Sequence, residues 1–281
     1  MMSGFCILLA VNFFFSIVLQ GQQANNSTAP PSGATTEDLQ KATQNPVASL
    51  ISVPFQNNSD LNIGPFARDK NTLNIQPVIP EPLSKNWNLI SRLILPVISQ
   101  PDISQQHLGT FGIGDLQPTF FFSPAKAGKI IWGVGPAFLL PTASDDTLGT
   151  GKTSAGPSVV ALIQPGKFTI GALVNNLWSF AGPSRRPDVN TMTLQYFFNY
   201  NLSKGWVLTS SPILSANWNA ASGSVWLVPF GGGVARVFTI GHQPVNGSVT
   251  AYYNAVRPDA LPSPTWQLRV QLALLYPRKP K

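Results

Sequence analysis

An all-β fold is predicted: a single antiparallel transmembrane β-barrel of about 12 strands, preceded by a short N-terminal helix. Three features predict it. Apolar and polar residues alternate along most of the chain after residue 46. Nearly all of the seven tryptophans stand at the ends of the alternating stretches. Charged residues are 10% of the 281, well below the roughly 25% of soluble globular proteins, yet no run of about 18 apolar residues follows the N-terminus. Indole is apolar with one polar N–H and favours the boundary between hydrocarbon and water. Aromatic girdles at both ends of short period-two strands are the pattern of a bilayer crossed by strands.

Taken in order, residues 1–24 read as a signal peptide, with an apolar core from Ile7 to Leu19 and small or polar residues through Gly21 and Ala24, although its start lacks a positive charge. The single cysteine, Cys6, falls inside it, so a mature chain would hold no disulfide, thiolate metal site or cysteine nucleophile. Residues 25–36, rich in Ser, Thr, Asn and Pro, read as a flexible linker. Residues 37–46 read as a short periplasmic helix, capped by Thr35 or Thr36 and stopped by Pro46. Residues 47–277 form the barrel, and 278–281 a basic tail.

Strands are expected at 47–56, 72–80, 87–97, 111–123, 130–140, 153–163, 167–178, 190–201, 205–218, 224–238, 244–256 and 265–276. The alternation is cleanest in two of them. Met192, Leu194, Tyr196, Phe198 and Tyr200 oppose Thr191, Thr193, Gln195, Asn199 and Asn201, with Phe197 on the polar side; Leu268, Val270, Leu272, Leu274 and Tyr276 oppose Gln267, Arg269 and Gln271. Connections alternate as well. Those after the early odd strands are long (56–71, 98–110, 141–152, 179–189), and those after even strands are short, as at 164–166 and 202–204. Long loops on one side and short turns on the other are the outer-membrane arrangement, with both termini in the periplasm. On this topology Trp87, Trp132 and Trp206 form the periplasmic girdle, and Trp178, Trp218, Trp226 and Trp266 the outer one. Pro96, Pro118, Pro136, Pro157, Pro212 and Pro229 fall within these strands and predict bulges or earlier strand ends, because proline removes a ladder hydrogen bond.

The formal charge of +7 does not imply nucleic acid, because Lys126, Lys129, Lys167 and Lys204 fall in turns and Arg278, Lys279 and Lys281 in the tail. Gly149-Thr150-Gly151-Lys152-Thr153 resembles the end of a phosphate-binding loop, but Asp146 stands where the upstream glycine belongs and Pro157 follows where a helix should. Asp145 and Asp146 are neighbours in that same loop. Their bland reading is solvation, with loose cation binding as the alternative. His107 and His242 lack ligand spacing and fall on opposite sides of the membrane. No serine occupies a nucleophile elbow. No catalytic residue, metal site or cofactor is implied, and the chain is not expected to be an enzyme.

What remains is a set of inward-facing polar residues, expected to line a lumen: Arg92, Asp115, Gln117, Thr119, Asn175, Gln195, Asn199, Thr209, Tyr252, Asn254, Arg269 and Gln271. A barrel of this strand number is wider than the eight-stranded type that side chains fill, so an aqueous path is possible. Few of these residues are charged, which suits a small neutral or aromatic solute better than an ion filter.

Several segments together resemble a known family. They are Ala42-Thr43-Gln44-Asn45-Pro46-Val47-Ala48-Ser49-Leu50-Ile51-Ser52-Val53-Pro54-Phe55-Gln56-Asn57-Asn58, then Gly114-Asp115-Leu116-Gln117-Pro118-Thr119, Gly133-Val134-Gly135-Pro136, Gln243-Pro244-Val245-Asn246 before Ala251-Tyr252-Tyr253-Asn254, and Trp266-Gln267-Leu268-Arg269. Over residues 40 to 277 the chain resembles the bacterial outer-membrane β-barrels grouped as meta-pathway phenol-degradation (MetA-like) transporters, some of which carry the mistaken label neuromedin U. The resemblance implies a passive outer-membrane channel or transporter for small molecules, aromatic or hydrophobic ones among them, in a Gram-negative-type bacterium. It supplies no catalytic or binding residues. Such barrels often end in an aromatic residue, whereas here Tyr276 is followed by Pro277-Arg278-Lys279-Pro280-Lys281; Leu274 and Tyr276 keep the apolar pair that barrel-assembly machinery could read. Expected partners are therefore outer-membrane lipid, the assembly machinery and a small solute, with loops 56–71 and 141–152 gating entry. Two rival readings stay open: a sealed outer-membrane barrel acting as adhesin or scaffold, and a secreted soluble β-sandwich binding protein.

Overall fold

The computed structural model describes residues 35–102, 109–126, 128–259 and 262–277. The expected signal peptide with Cys6, most of the linker, His107 and the basic tail lie outside the described residues. Fifteen strand segments follow one helix, α1 (Thr36–Thr43): β1 (Leu50–Ile63), β2 (Arg68–Ile75), β3 (Val78–Pro82), β4 (Trp87–Pro101), β5 (Gly109–Ile113), β6 (Gln117–Pro124), β7 (Ile131–Leu139), β8 (Thr153–Ile163), β9 (Phe168–Ala181), β10 (Asn190–Asn201), β11 (Trp206–Ser210), β12 (Ile213–Asn217), β13 (Trp226–Ile240), β14 (Gln243–Val256) and β15 (Trp266–Pro277). Every pairing is antiparallel, and β1 joins β15 from Leu50 opposite Pro277 to Leu61 opposite Trp266, which closes the sheet. Three strands are interrupted midway (β2–β3, β5–β6 and β11–β12), so the barrel has twelve staves. A closed single sheet excludes the β-sandwich. Among the described residues no helix is long and apolar enough to cross a membrane.

The interruptions have local causes. Pro77 and Pro212 lack the N–H a ladder needs, and each falls at a break. At Gly114 the chain bulges and its N–H returns to the Pro96 carbonyl at 2.9 Å. Pro229 marks a register shift between β13 and β14. Pro96, Pro118, Pro136 and Pro157 lie within strands instead, Pro136 directly opposite Pro157.

Period two sorts the side chains as the sequence predicts. On β15, Leu268, Val270 and Leu272 are exposed on the outer face while Arg269, Ala273 and Leu275 are buried within; on β10, Phe198 is exposed and Phe197 and Asn199 are buried. The outer face is thus apolar and the inner face is polar or tightly packed, the reverse of a soluble barrel.

Two expected loops differ. β1 and β2 continue well past Gln56 to a turn at 64–67, and β4 runs on to Pro101. Polar cross-strand pairs carry the first hairpin, with Asn58 opposite Thr72 and Asp60 opposite Lys70, and Asn71 donating to Ser59 Oγ at 2.9 Å. A reading keyed to apolar alternation ends such a strand too soon. At the other end β1 starts at Leu50, because Pro46 and the side chain of Asn45, which accepts from the Val47 N–H at 3.0 Å, hold residues 45–48 in a turn.

Candidate functional site in the barrel interior

The helix closes the end of the barrel at which the chain enters. Thr35 caps α1 by accepting from the Asp38 N–H at 3.1 Å, while Asp38 accepts from the Thr35 N–H at 3.0 Å, a reciprocal capping box. The Thr35 hydroxyl, which donates to Asp38 Oδ2 at 2.8 Å, and the Thr35 N–H hold the Asp38 carboxyl below the usual carboxylate range. Gln40 is 1% exposed, and its Nε2 donates to the carbonyls of Leu202 (3.3 Å) and Trp206 (2.9 Å). Gln164 Nε2 donates to the Lys41 carbonyl at 2.8 Å, and Gln44 to Asn201 Oδ1 at 2.6 Å. Beyond the turn, Val47 enters an apolar cluster with Ile90, Phe121, Val160, Leu162, Leu173 and Phe197, from β4, β6, β8, β9 and β10. Leu39 and Ala42 pack on a second cluster of Leu50, Val237, Ala273 and Leu275. A segment that touches so much of the circumference at one level lies across the opening, so residues 35–48 form a plug.

Toward the other end the interior turns polar. Arg269 Nε donates to Asn58 Oδ1 (2.9 Å), Nη1 to the Ser211 carbonyl (2.9 Å) and Nη2 to Gln267 Oε1 (3.1 Å), and its guanidinium lies 4.9 Å from the centre of the Tyr252 ring. Ser211 is available because β11 and β12 part there, and its N–H donates to Tyr252 Oη at 3.3 Å. Arg269 thus braces β15 against β1 and against the break three staves away. Deeper in the barrel, Arg92 donates from Nη2 to Gln76 Oε1 at 2.8 Å.

At the open end, loop 140–152 folds inward. Asp115, at the β5–β6 bulge, accepts from Ala143 N (3.2 Å), Thr150 N (2.6 Å) and Thr150 Oγ1 (2.8 Å). Gly112 and Gly114 leave the room that Ser144 and Leu148 occupy; a Cβ at Gly112 would meet Leu148 Cδ1 at 2.9 Å. Arg186 donates to the carbonyls of Thr150 (2.9 Å), Asp146 (2.9 Å) and Gly149, and buried Lys152 pairs with exposed Asp188 at 3.0 Å. The Gly149–Lys152 stretch is therefore a clamp between loops. Asp145 accepts from the Thr147 N–H (2.8 Å), which holds its carboxyl below the ordinary range.

The Lys152 hydrogen bond likewise holds the Asp188 carboxyl below the ordinary carboxylate range. A lowered folded-state value means that this contact is intact above the unfolded-state range and lost as pH falls through the folded value. Amide exchange in loop 140–152 is expected to keep its protection from neutral pH down to about pH 4 and to lose it below. Asp188→Asn should show the loosened loop already at neutral pH, read by hydrogen exchange with mass spectrometry. Loosening in the wild type well above that range would count against the ion pair as the clamp.

The predicted lining residues occupy these places. Arg92, Gln117 and Thr119 come together on β4 and β6, where Arg92 faces Thr119 and Ile94 faces Gln117. Tyr252 and Arg269 meet as described. Asn199 faces Thr209 across β10 and β11, and Asn175 accepts from Thr193 Oγ1 at 2.8 Å. Gln195 and Gln271 lie on the inner faces of β10 and β15, partly accessible. Asn254 donates to the Pro264 carbonyl at 2.8 Å and so ties the β14–β15 loop. Asp115 is committed to loop 140–152. His242 sits in the β13–β14 turn, and among the described residues no three His, Cys, Asp or Glu side chains gather as metal ligands. Sequence reasoning missed Asn58, Gln76 and Gln267, the side-chain partners of the two arginines, and Gln56, which donates to Asn58. Period-two phase could have found them, since each shares a face with a predicted residue.

The tryptophans stand at two levels. Trp87 packs edge-on to Trp132 at 5.8 Å, and Arg236 lies over Trp206, all at the plugged end; Trp218 packs edge-on to Trp226 at 5.5 Å, and Trp266 beside Tyr253, at the open end. Trp178, at the open end of β9, is exposed on the outer face, and Trp218 Nε1 donates to Asn176 Oδ1 at 2.8 Å.

No protein-family model matches this sequence, and no curated protein does. Solved structures are similar to this chain to different degrees. An outer-membrane channel from Pseudomonas putida F1 superposes with a TM-score of 0.61, covering 81% of this chain and 95% of that one at 14% identity. An outer-membrane phospholipase from Salmonella typhi, solved as a dimer with bound calcium, has a TM-score of 0.43 at 15% identity over 87% of this chain and 99% of that one. A monoaromatic hydrocarbon channel, CymD, has a TM-score of 0.42 at 11% identity over 90% and 95%.

Proposed function

We propose that the chain is a non-enzymatic bacterial outer-membrane channel through which small molecules, aromatic and hydrophobic ones among them, move passively. The observation that carries this reading is the polar inner face of a closed barrel whose outer face is apolar. Asn58, Tyr252, Arg269, Gln271 and Thr119 have no reason to face inward in a barrel that exposes Leu268, Val270 and Leu272 unless the interior is the wet side. The twelve predicted lining residues would form its wall, and the seven tryptophans its two interfacial girdles. The likeness of fold to the Pseudomonas putida channel and the resemblance to the phenol-degradation transporters both favour this assignment. Export through a signal peptide and insertion by the barrel-assembly machinery belong to the same reading.

The plug and the apolar cluster around Phe121 and Val160 favour a second reading, a sealed barrel serving as scaffold or adhesin. Solute swelling and single-channel conductance of the chain refolded into liposomes separate the two. Discrete conductance with uptake of phenol or arabinose is expected. A folded, heat-modifiable barrel that passes neither solute would leave the sealed scaffold standing.

A further inference from the structure

The barrel interior holds two arginines whose surroundings differ. Arg269 is 4% exposed and uses Nε, Nη1 and Nη2 on three protein acceptors, with the Tyr252 ring against its face. It is a brace. Among the described residues Arg92 has a single protein acceptor, the neutral Gln76 Oε1. The ion pairs Lys152–Asp188 and Arg186–Asp146 involve the loops at the open end, and neither includes Arg92. Guanidinium presents five N–H donors in a planar fork matched to a carboxylate. A cation withdrawn from bulk water with one neutral partner is costly unless an anion joins it.

The neighbours of Arg92 define what kind of anion fits. On the same inner face Thr119 stands directly across on β6, and Gln117 one step further toward the open end. Gln76, 6% exposed, holds the guanidinium from the β2–β3 break. Arg92 itself remains partly accessible, as do Val78 opposite it and Ile94 two residues on. Toward the plugged end Ile90 and Phe121 are fully buried and form a closed apolar floor. A cation with hydroxyl and amide groups beside it thus stands among accessible apolar side chains, above an apolar floor.

We propose that this patch binds a small organic monocarboxylate, its carboxylate on Arg92 with Thr119 and its apolar body against Val78 and Ile94. This deepens the channel reading and rests on it only for the ligand's route to the site. The same amphiphilic pairing distinguishes the site from a simple anion trap, which would lack the apolar wall.

Calorimetric titration of the refolded full chain in lipid vesicles with benzoate, and with benzyl alcohol as its neutral counterpart, tests the proposal at neutral pH. The wild type should prefer benzoate. Arg92→Gln should weaken benzoate by about tenfold or more, the scale of a lost charge-assisted pair, and leave benzyl alcohol unchanged. Arg92→Lys, checked with Arg92→Gln for heat-modifiable folding, should keep a preference for the anion. Equal binding of the two probes by the wild type would overturn the site whatever the variants do, as would undiminished benzoate binding by folded Arg92→Gln. Arabinose swelling is read separately. A chain that binds benzoate through Arg92 yet admits neither phenol nor arabinose keeps this site and sinks the channel.

Discussion

Removing residues 35–48, so that the preceding segment joins Ser49, is expected to raise solute permeability of the reconstituted barrel several-fold while leaving the barrel closed. The plug supplies no strand. Closure depends on β1 against β15, which begins at Leu50. What is lost is the lid itself: Gln40 across the 202–206 turn, Gln44 on Asn201, and Val47 wedged against Ile90, Phe121 and Val160. Burial of Val47 alone contributes about 1.5–3 kcal/mol, so the truncated chain should unfold at lower denaturant but remain heat-modifiable. Gln40→Ala should act in the same direction more weakly. It takes the side-chain donor from the Leu202 and Trp206 carbonyls, the latter keeping the Leu202 N–H, at a cost of about 1–3 kcal/mol, and should raise the fraction of time in which conductance is seen. Permeability unchanged by the full deletion would mean that the side chains of the staves seal the interior unaided, and would move the assignment to the scaffold.

The stave count and their in–out phase were legible because period two is a property of each strand by itself. Phe198 against Phe197 and Leu272 against Gln271 fall on the expected faces with no knowledge of any partner. Where the chain departs from that local rule, the reading failed or was silent. The β1–β2 hairpin is held by Asn, Ser, Asp and Lys pairs, whose polarity looks like loop until the partner strand is in place. The plug depends on contacts between Gln40 and residues 162 and 166 positions away, which no periodicity encodes. Asp115 reads as a lining residue from its phase alone. The bulge at Gly114 and the glycines that admit Ser144 and Leu148 convert it into the anchor of a loop. Of the six prolines that the sequence marks as disturbances, Pro212 and Pro229 fall at a break and a register shift while Pro96, Pro118, Pro136 and Pro157 ride within strands, a difference that only the neighbouring registers decide.

Leu272→Arg is expected to destabilise the folded barrel in lipid vesicles by about 2–4 kcal/mol, the cost of a lipid-facing arginine near the bilayer midplane. Leu272 is 39% exposed on the outer face of β15, between Phe55 of β1 and Gly247 of β14, six residues from the Trp266 level. Its neighbour in sequence provides the control. Gln271 faces inward, opposite Gln56 and Ser248, so Gln271→Arg places the same charge at the same height on the other side of the wall. The two variants share helix and strand propensities, charge and size, and differ only in the medium they meet. Chemical denaturation in vesicles should therefore show a large loss for Leu272→Arg and a small one for Gln271→Arg. In a water-soluble barrel the order reverses: an exposed leucine replaced by arginine changes stability by about 0.5 kcal/mol or less, and it is the inward charge that meets packed side chains. The difference between the variants thus reports which face of the sheet is in hydrocarbon, and it does so whether or not any solute passes through the lumen.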